Sequence, residues 1–435
     1  MHDTVLCLLV IEKSVLSDED LNTMTENSAE HKIPEIGFTE TELDFIRQHF
    51  HDDVNQLILK SAQFKGVDVK KLAGQILARQ KALKKLPEWS ANERLIFPPA
   101  LSVEQSSSEA TARYKASVVS GNELVDITGG MGVDCFYMSR NFRSATYFEQ
   151  QDEVAQTAAY NYDVLKSDNI RVRNENSLLA FQNNNITADW IYADPARRGD
   201  NKDKVVRLSD CTPDIVSHLE LLQNAAPDIL LKTSPLLDID LAVKELKNVK
   251  SVHITGYDQE CKELLFHINR DHEDEKFELK IRILNALGGV EQALDFDRSM
   301  EQASVIGYTY PVKYLYEPHA AVLKAGAFRI LGTLFDVTKL APSSHLYTSE
   351  NHVSNFPGRT FEIVGFCKPD GGEIQKLTGE SKANLTLRNF PAKIHDLRKK
   401  WRLKEGGDFY LFATTLYDHK KVVVVTRRVS STMST

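Results

Sequence analysis

From residue 123 to about residue 270 the chain alternates short apolar strands with helices, which predicts a parallel, doubly wound α/β sheet with its ligand crevice at the carboxyl ends of the strands. Two further observations complete the fold class. Residues 38–86 carry apolar positions at helical spacing, so a helical domain precedes the sheet; beyond residue 276 strands and helices mix, so one or two small α+β modules follow it. The expected division is a loose tail over 1–36, a helical domain over 37–120, the α/β domain over 121–270, and α+β modules over 277–350 and 351–430, with the charged run DHEDEK as a linker over 271–276.

The elements follow in order. The opening MHDTVLCLLVIEKS has a brief apolar segment but neither the basic n-region nor the small-residue cleavage site of a signal peptide, and the residues after it are polar and patternless. Thr39 and Glu42 have capping-box spacing at the head of FTETELDFIRQHF, whose Leu43, Phe45, Ile46 and Phe50 share a helical face. The segment VKKLAGQILARQKALKKL repeats that pattern, with its Lys and Arg residues on a solvated face. Pro98 and Pro99 break the helical pattern, and Ser106 to Glu109 has capping-box spacing again for a helix reaching about Val119. That helix runs into the first strand, which places Thr111, Tyr114 and Lys115 near the mouth of the crevice.

Strands are expected at 123–128, 145–149, 170–174, 189–193 and 228–232, with CFYMSRNF, EVAQTAAYNYDVLK and SLLAF among the helices between them. VKSVHITGYD and CKELLFHINR, separated by a few residues, are expected as an antiparallel pair at the sheet edge, making seven strands. In the last part FELKIRILNAL, TFEIVGFCKP, ANLTLRNF, FYLFATTLY and KKVVVVTRR are expected strands, and EPHAAVLKAGAFRILGTLF and KIHDLRKKW expected helices.

Two stretches carry chemistry. The first strand stops at Gly129, Gly130 and Gly132, and the second ends in Glu149. Glycines let a backbone turn tightly and come within contact distance of a ligand, and a carboxylate closing the next strand can accept both hydroxyls of a ribose. The fourth strand carries WIYADPARRG. Asp194 stands at its tip, and Pro195 holds an extended turn with no N–H, so the carboxylate is placed to accept a proton or hydrogen bond from a substrate amine or hydroxyl. Arg197 and Arg198, just beyond, either hold a phosphate or pair with local acids such as Asp200 and Asp203.

Composition bounds the alternatives. The chain is 42% hydrophobic and 26% charged with a net charge of -8, so no global field draws polyanions to it. No apolar run approaches the roughly 20 residues of a membrane span. Five cysteines without a CxxC pair suit a reducing cytoplasm and argue against a zinc site or a disulfide framework. The exception to the acidic balance is residues 376–435, with thirteen Lys or Arg against five Asp or Glu. There KIHDLRKKWRLK mixes Lys399 and Lys400 with Trp401, an aromatic able to stack on a base or to anchor a core, and Arg427 and Arg428 follow.

The succession DITGGMGVD, YFE, ENSLLAF, YADPARRG resembles the class I S-adenosylmethionine-dependent methyltransferases, with their Rossmann-like seven-stranded sheet. Within them it looks most like a bacterial group carrying a C-terminal THUMP-like domain, whose preceding helix reads much like VEQSSSEATARYKA. The resemblance covers roughly residues 95 to 430. It implies that Asp126, Gly129, Gly130 and Gly132 hold the methionine end of S-adenosyl-L-methionine, Glu149 the ribose, and the Asn176 and Ser177 region the adenine, with Asp194 and Pro195 facing the acceptor. Many relatives place an aspartate after the third strand, where this chain reads Glu175, Asn176, Ser177. The THUMP-like part implies structured RNA as partner, through the basic module.

The acceptor is narrowed by what is missing. Carbon-5 methylation of a pyrimidine needs a cysteine nucleophile; neither the Asp-Pro tip nor LLKTSPLLD after the fifth strand supplies one, and Cys211, the nearby candidate, reads as a packing residue at a helix start. Adenine-N6 enzymes of this fold follow their acid and proline with a second proline and an aromatic, where this chain has Ala196 and Arg197. The expectation is therefore methyl transfer to a nitrogen or oxygen of a nucleotide in ribosomal or transfer RNA, without a metal. The alternatives are a methyltransferase for a small molecule or protein, and a non-catalytic RNA-binding protein that retains the cofactor. A dinucleotide dehydrogenase is disfavoured because Cys135 stands where its third glycine belongs.

Overall fold

The computed structural model describes residues 36–197 and 207–429, so the expected N-terminal tail lies almost wholly outside the described residues. The helical domain opens with α1, Glu40–Gln48, whose Thr39–Glu42 capping box forms as its spacing implies, and continues through α2, Val54–Leu59, to α3, Val69–Lys85. One face of α3 closes a small core with Phe45, Ile46 and Leu57. Its C-terminal half turns Ala78 and Ala82 toward the larger core that also holds Trp89, Phe97 and the sheet residues Leu124 and Tyr192, so the helical domain is docked onto the sheet. Between them α4, Pro87–Ser90, and α5, Ala100–Gln105, fill the stretch that sequence left irregular. The next helix, α6, spans Glu109–Val118, and its N-cap is Ser108 rather than Ser106, because α5 runs on to the residue before Ser106.

The main sheet has nine strands: β1 Gly121–Asp126, β2 Phe142–Phe148, β3 Ile170–Arg173, β4 Trp190–Ala193, β5 Asp228–Thr233, β6 Val249–Tyr257, β7 Glu260–Asn269, β8 Glu278–Leu284 and β9 Val290–Phe296. Their spatial order is β9-β8-β6-β7-β5-β4-β1-β2-β3. β1 to β5 run parallel, and β7 is antiparallel to both β5 and β6. The helices α7 Val133–Ser139, α8 Asp152–Val164, α9 Ser177–Asn183, α10 Leu219–Ala225 and α11 Ile239–Glu245 connect the parallel strands. The period of two along each strand separates the faces. Leu124, Trp190, Tyr192, Leu230 and Leu265 meet α6 and α7, whereas Val125, Ile127, Ile191, Ala193 and Leu231 enter the core on the other side.

Two expectations change here. The hairpin β6–β7 is not at the edge, because β8 pairs in parallel with β6 and β9 adds beyond it. The residues expected to begin a separate module at 277 instead extend the first sheet; DHEDEK is a crossover within one sheet rather than a boundary.

The second sheet has seven strands: β10 Tyr314–Pro318, β11 Thr338–Lys339, β12 Tyr347–Ser349, β13 Gly358–Cys367, β14 Asn384–Arg388, β15 Phe409–Thr415 and β16 Lys421–Arg428. It is ordered β11-β12-β10-β13-β16-β15-β14. The long helix expected from Pro318 is broken. Tyr314–Pro318 is a strand, and two short helices, α12 Ala320–Ala325 and α13 Ile330–Phe335, part at Gly326, whose φ of +74 ends a helix at little cost to glycine. Ala321, Val322 and Ala325 of α12 share one core with β6, β7 and β8, so the two sheets are packed together.

The centre of the second sheet is tied by Glu317, 4% exposed, which accepts from Arg359 on β13 and from Arg388 on β14 at 2.9 and 3.2 Å. Glu317→Ala would strand two guanidinium groups. The expected loss is about 3 kcal/mol, at the low end for a buried pair because both arginines keep some solvent; chemical denaturation of the variant beside wild type measures it.

Candidate active site

The glycine loop is assembled from its own steric limits. Gly129, Gly130 and Gly132 all have positive φ, +47, +82 and +82. A Cβ on Gly129 would lie 2.6 Å from the Phe148 carbonyl and 2.7 Å from Glu149 Oε2, and one on Gly132 would collide with the Tyr162 hydroxyl. Those two glycines are required by the protein's own packing. Gly130 differs: a Cβ there would meet nothing within 4 Å, so the apex of the loop faces open space. Tyr147 and Tyr162 donate to the Gly130 and Gly132 carbonyls at 2.6 and 3.0 Å and hold the loop from beneath.

Glu149 closes β2 beside that apex. Its Oε2 accepts the Gly130 N–H at 2.9 Å and its Oε1 the Gln151 N–H at 2.7 Å. Asp126, at the end of β1, is 1% exposed and accepts from the Thr128 N–H and hydroxyl at 3.0 and 3.2 Å. Burial pushes its carboxyl up to about 8. Ser177 donates to the Ile127 carbonyl at 2.8 Å, which clips the start of α9 to the loop, and Asn176 caps α9 by accepting the Leu179 N–H at 3.0 Å. Glu175 pairs with Arg173. The structure thus gathers Asp126, the three glycines, Glu149 and Ser177 around one crevice, with Asn176 at its rim.

Asp194 stands across from them at the tip of β4. Its N–H donates at 2.8 Å to the Thr128 hydroxyl, which in turn donates to Asp126, so the Asp194 backbone is linked to the Asp126 carboxyl group through one side chain. Asp194 Oδ2 accepts from the Lys232 ammonium on β5. Register explains the meeting: Ala193 pairs with Leu231, so the next residues on the two strands are neighbours.

Lys232 belongs to a larger buried group. Lys115 on α6, wholly buried, donates to both oxygens of Glu263 on β7 at 2.8 and 2.9 Å and lies 3.1 Å from Asp134 on α7. Asp134 also accepts from Ser107 and Tyr192, at 2.7 and 2.6 Å. Burial would favour the neutral amine of Lys232, but the carboxylates of Asp194, Asp134 and Glu263 outweigh it and raise Lys232 above the ordinary lysine range. Burial likewise opposes ionisation of Asp134, yet the Lys115 and Lys232 ammonium groups hold it low; Glu263 is raised by burial.

Sequence reading placed Lys115 near the crevice mouth and the structure puts it in the floor. Lys232, Glu263, Asp134, Tyr192 and Thr128 it missed. For Lys232 and Glu263 the signal is there in LLKTS and CKELLF, where a charge stands on the apolar face of a strand in phase with Leu230 or Leu265.

The remaining candidates fall apart from this site or outside it. Ala196–Arg197 pairs with Cys211–Thr212 as a two-residue ladder after Pro195, and Arg198 lies outside the described residues. Lys399 and Lys400 are exposed on the helix α15, Ile394–Trp401, which follows α14, Gly371–Thr378, and Arg427 and Arg428 are exposed on β16. Trp401 is not a stacking platform: it is 6% exposed, at the i+4 position from Leu397, and fills the core with Ile374, Leu403 and Phe409.

Comparison with known proteins adds the following. Residues 314–357 match a ferredoxin-like domain family and residues 358–428 a THUMP domain-like family. A crystal structure of a protein of Porphyromonas gingivalis W83, assigned as a methyltransferase, is 30% identical, with 90% of this chain and all of that chain covered and a TM-score of 0.77. An rRNA methylase from Streptococcus thermophilus is 12% identical over 37% of this chain and 94% of its own, with a TM-score of 0.27. M. capricolum TrmK, in complex with S-adenosyl-homocysteine, is 14% identical over 38% and 70%, with a TM-score of 0.29. Likenesses as slight as the last two carry no argument. No curated protein matches.

The open apex of the loop gives a direct test. Gly130→Val introduces two γ-methyls into the crevice at a φ that valine rarely adopts. Titration calorimetry with S-adenosylhomocysteine should show affinity falling by at least about a hundredfold, the loss of roughly 3 kcal/mol of binding.

Proposed function

The chain belongs to the class I methyltransferases that carry a C-terminal THUMP-like domain, and from that premise we propose that it transfers a methyl group from S-adenosyl-L-methionine to a nitrogen or oxygen of a nucleotide in structured RNA, ribosomal or transfer, in the cytoplasm. The observation that carries the proposal is Asp194, at the tip of β4, linked through Thr128 to the loop whose Gly130 apex is open.

The residues present fit the cofactor. It has a cationic amine and sulfonium and a ribose diol, and the crevice offers the Glu149 carboxylate and the Asp126 carboxyl group beside a bare glycine backbone. In this reading Asp126, Gly129, Gly130 and Gly132 take the methionine end, Glu149 the ribose, and the Asn176 and Ser177 region the adenine. The cofactor supplies a methyl group already activated by the sulfonium. The protein then needs alignment and a place for a proton rather than a covalent intermediate. Asp194 orients the acceptor by taking a hydrogen bond from it and receives its proton. Pro195 stiffens that tip.

RNA is the acceptor that the charge distribution favours. The C-terminal module is basic within an acidic chain, and Lys399, Lys400, Arg427 and Arg428 are all solvent-exposed.

Two experiments check the reading. Asp194→Ala should leave cofactor affinity unchanged and lower turnover by about a hundredfold or more. The full chain, incubated with methyl-labelled S-adenosylmethionine and total RNA from a strain lacking the gene, should label that RNA. Changing Lys399, Lys400, Arg427 and Arg428 to Glu should abolish RNA retention on filters without altering cofactor affinity. Label confined to protein or small molecules would overturn the RNA assignment.

A further inference from the structure

Resting on the RNA reading above, we propose that the acceptor atom is a ribose hydroxyl oxygen, the 2′-OH within the RNA chain, with Asp194 as proton acceptor and Lys232 as the cation that steadies the oxygen as it loses its proton. The argument begins with which groups of the buried cluster reach the crevice. The side chains of Lys115, Glu263 and Asp134 are 0%, 3% and 10% exposed, whereas those of Lys232 and Asp194 are 13% and 39% exposed. Lys232 and Asp194 are thus the open end of a chain of alternating charge whose closed end is Lys115 with Glu263. Asp194 Oδ2 is occupied by Lys232, and among the described residues Oδ1 has no partner, which leaves it to the acceptor.

An ammonium fixed at this place separates the possible acceptors. A neutral amine or ring nitrogen acquires positive charge as it attacks the methyl group, and an ammonium beside it in a water-poor crevice raises that barrier. A hydroxyl behaves oppositely. It is a weak nucleophile until its proton leaves, and the negative charge then gathering on oxygen is what a preorganised ammonium stabilises. Carbon-5 of a pyrimidine needs a covalent nucleophile, and the thiol nearest the tip, Cys211 opposite Arg197, is buried. Within an RNA chain the hydroxyl available at every nucleotide is the 2′-OH.

The step balances. The hydroxyl proton passes to Asp194 Oδ1 and on to solvent, an oxygen lone pair forms the new C–O bond to the methyl carbon, and the C–S bond breaks with its electron pair remaining on sulfur. Lys232 keeps its proton throughout, held by Asp194 and by the field of Glu263 and Asp134. Lys115, with no exposure, is a positioning residue: it neutralises Glu263 and Asp134 so that Lys232 is not drawn away from the tip.

The test uses the chemistry of the product. Alkali cleaves RNA through attack by the free 2′-oxygen, so a 2′-O-methyl group leaves its nucleotide in a resistant dinucleotide, whereas base methylation leaves a mononucleotide. RNA labelled by the full-length wild-type protein should release its label in dinucleotides. Label wholly in mononucleotides overturns this proposal and leaves the RNA reading standing; no label in RNA overturns both. As a second measurement, Lys232→Met should lower kcat by about 10²–10³-fold, with S-adenosylhomocysteine affinity and the KM for RNA within about threefold of wild type, and Lys232→Arg should recover about a tenth of the activity. An unchanged or higher kcat in Lys232→Met, with cofactor affinity intact, would mean the acceptor becomes cationic and would also sink the proposal.

Discussion

Two ammonium groups shared among three carboxylates, in the layer between the sheet and the helices α6 and α7, are the constraint on which the crevice depends. Lys115 and Lys232 lie against Glu263, Asp134 and Asp194, and removing Lys115, Glu263 or Asp134 from the closed end would leave a charge in a place that water hardly reaches. Burying such groups is costly, and a packed apolar layer would serve stability as well or better. What the charges provide is position. α6 arrives from the helical domain, α7 from the glycine loop, β5 and β7 from opposite directions in the sheet, and each is fixed relative to the others by atoms that tolerate few arrangements. The helical domain, whose last helix is expected to lead into the first strand, is docked so that this helix contributes Lys115 to the buried floor beneath the glycine loop.

That floor also explains how much of the site was legible. Gly129, Gly130, Gly132, Glu149 and Asp194 could be found because each is tied to a local event, a turn or a strand end, that the neighbouring residues announce. Lys232 pairs with a residue 38 positions away and Lys115 with one 148 positions away, and no local pattern encodes distances of that kind. The same reason accounts for β8 and β9. Their strand character is plain in FELKIRILNAL, but parallel pairing of β8 with β6 is a tertiary event, decided by the apolar face of Leu279, Ile281 and Ile283 seeking cover. Trp401 stays open between stacking and core in the sequence for a different cause: cations surround it there, while the residue that decides it, Leu397, stands one helical turn back.

The basic module and the catalytic domain meet through contacts of unlike character. α12 sits in the apolar core of the first sheet, whereas Glu317 clamps the second sheet through two arginines. Lys399, Lys400, Arg427 and Arg428 project from the part furthest along the chain, and the body that carries them is anchored by the ferredoxin-like segment rather than loosely tethered.

The strand β10 lies on one side of the boundary between the two matched domain families, and β13 begins on the other, yet they are neighbours in a single sheet, with Gly358 so close to the Glu317 carbonyl that no side chain fits between. A cut at that boundary would bare a hydrogen-bonding edge on each fragment. The two halves are therefore one structural unit: a fragment that held one without the other would present a sticky, incomplete sheet.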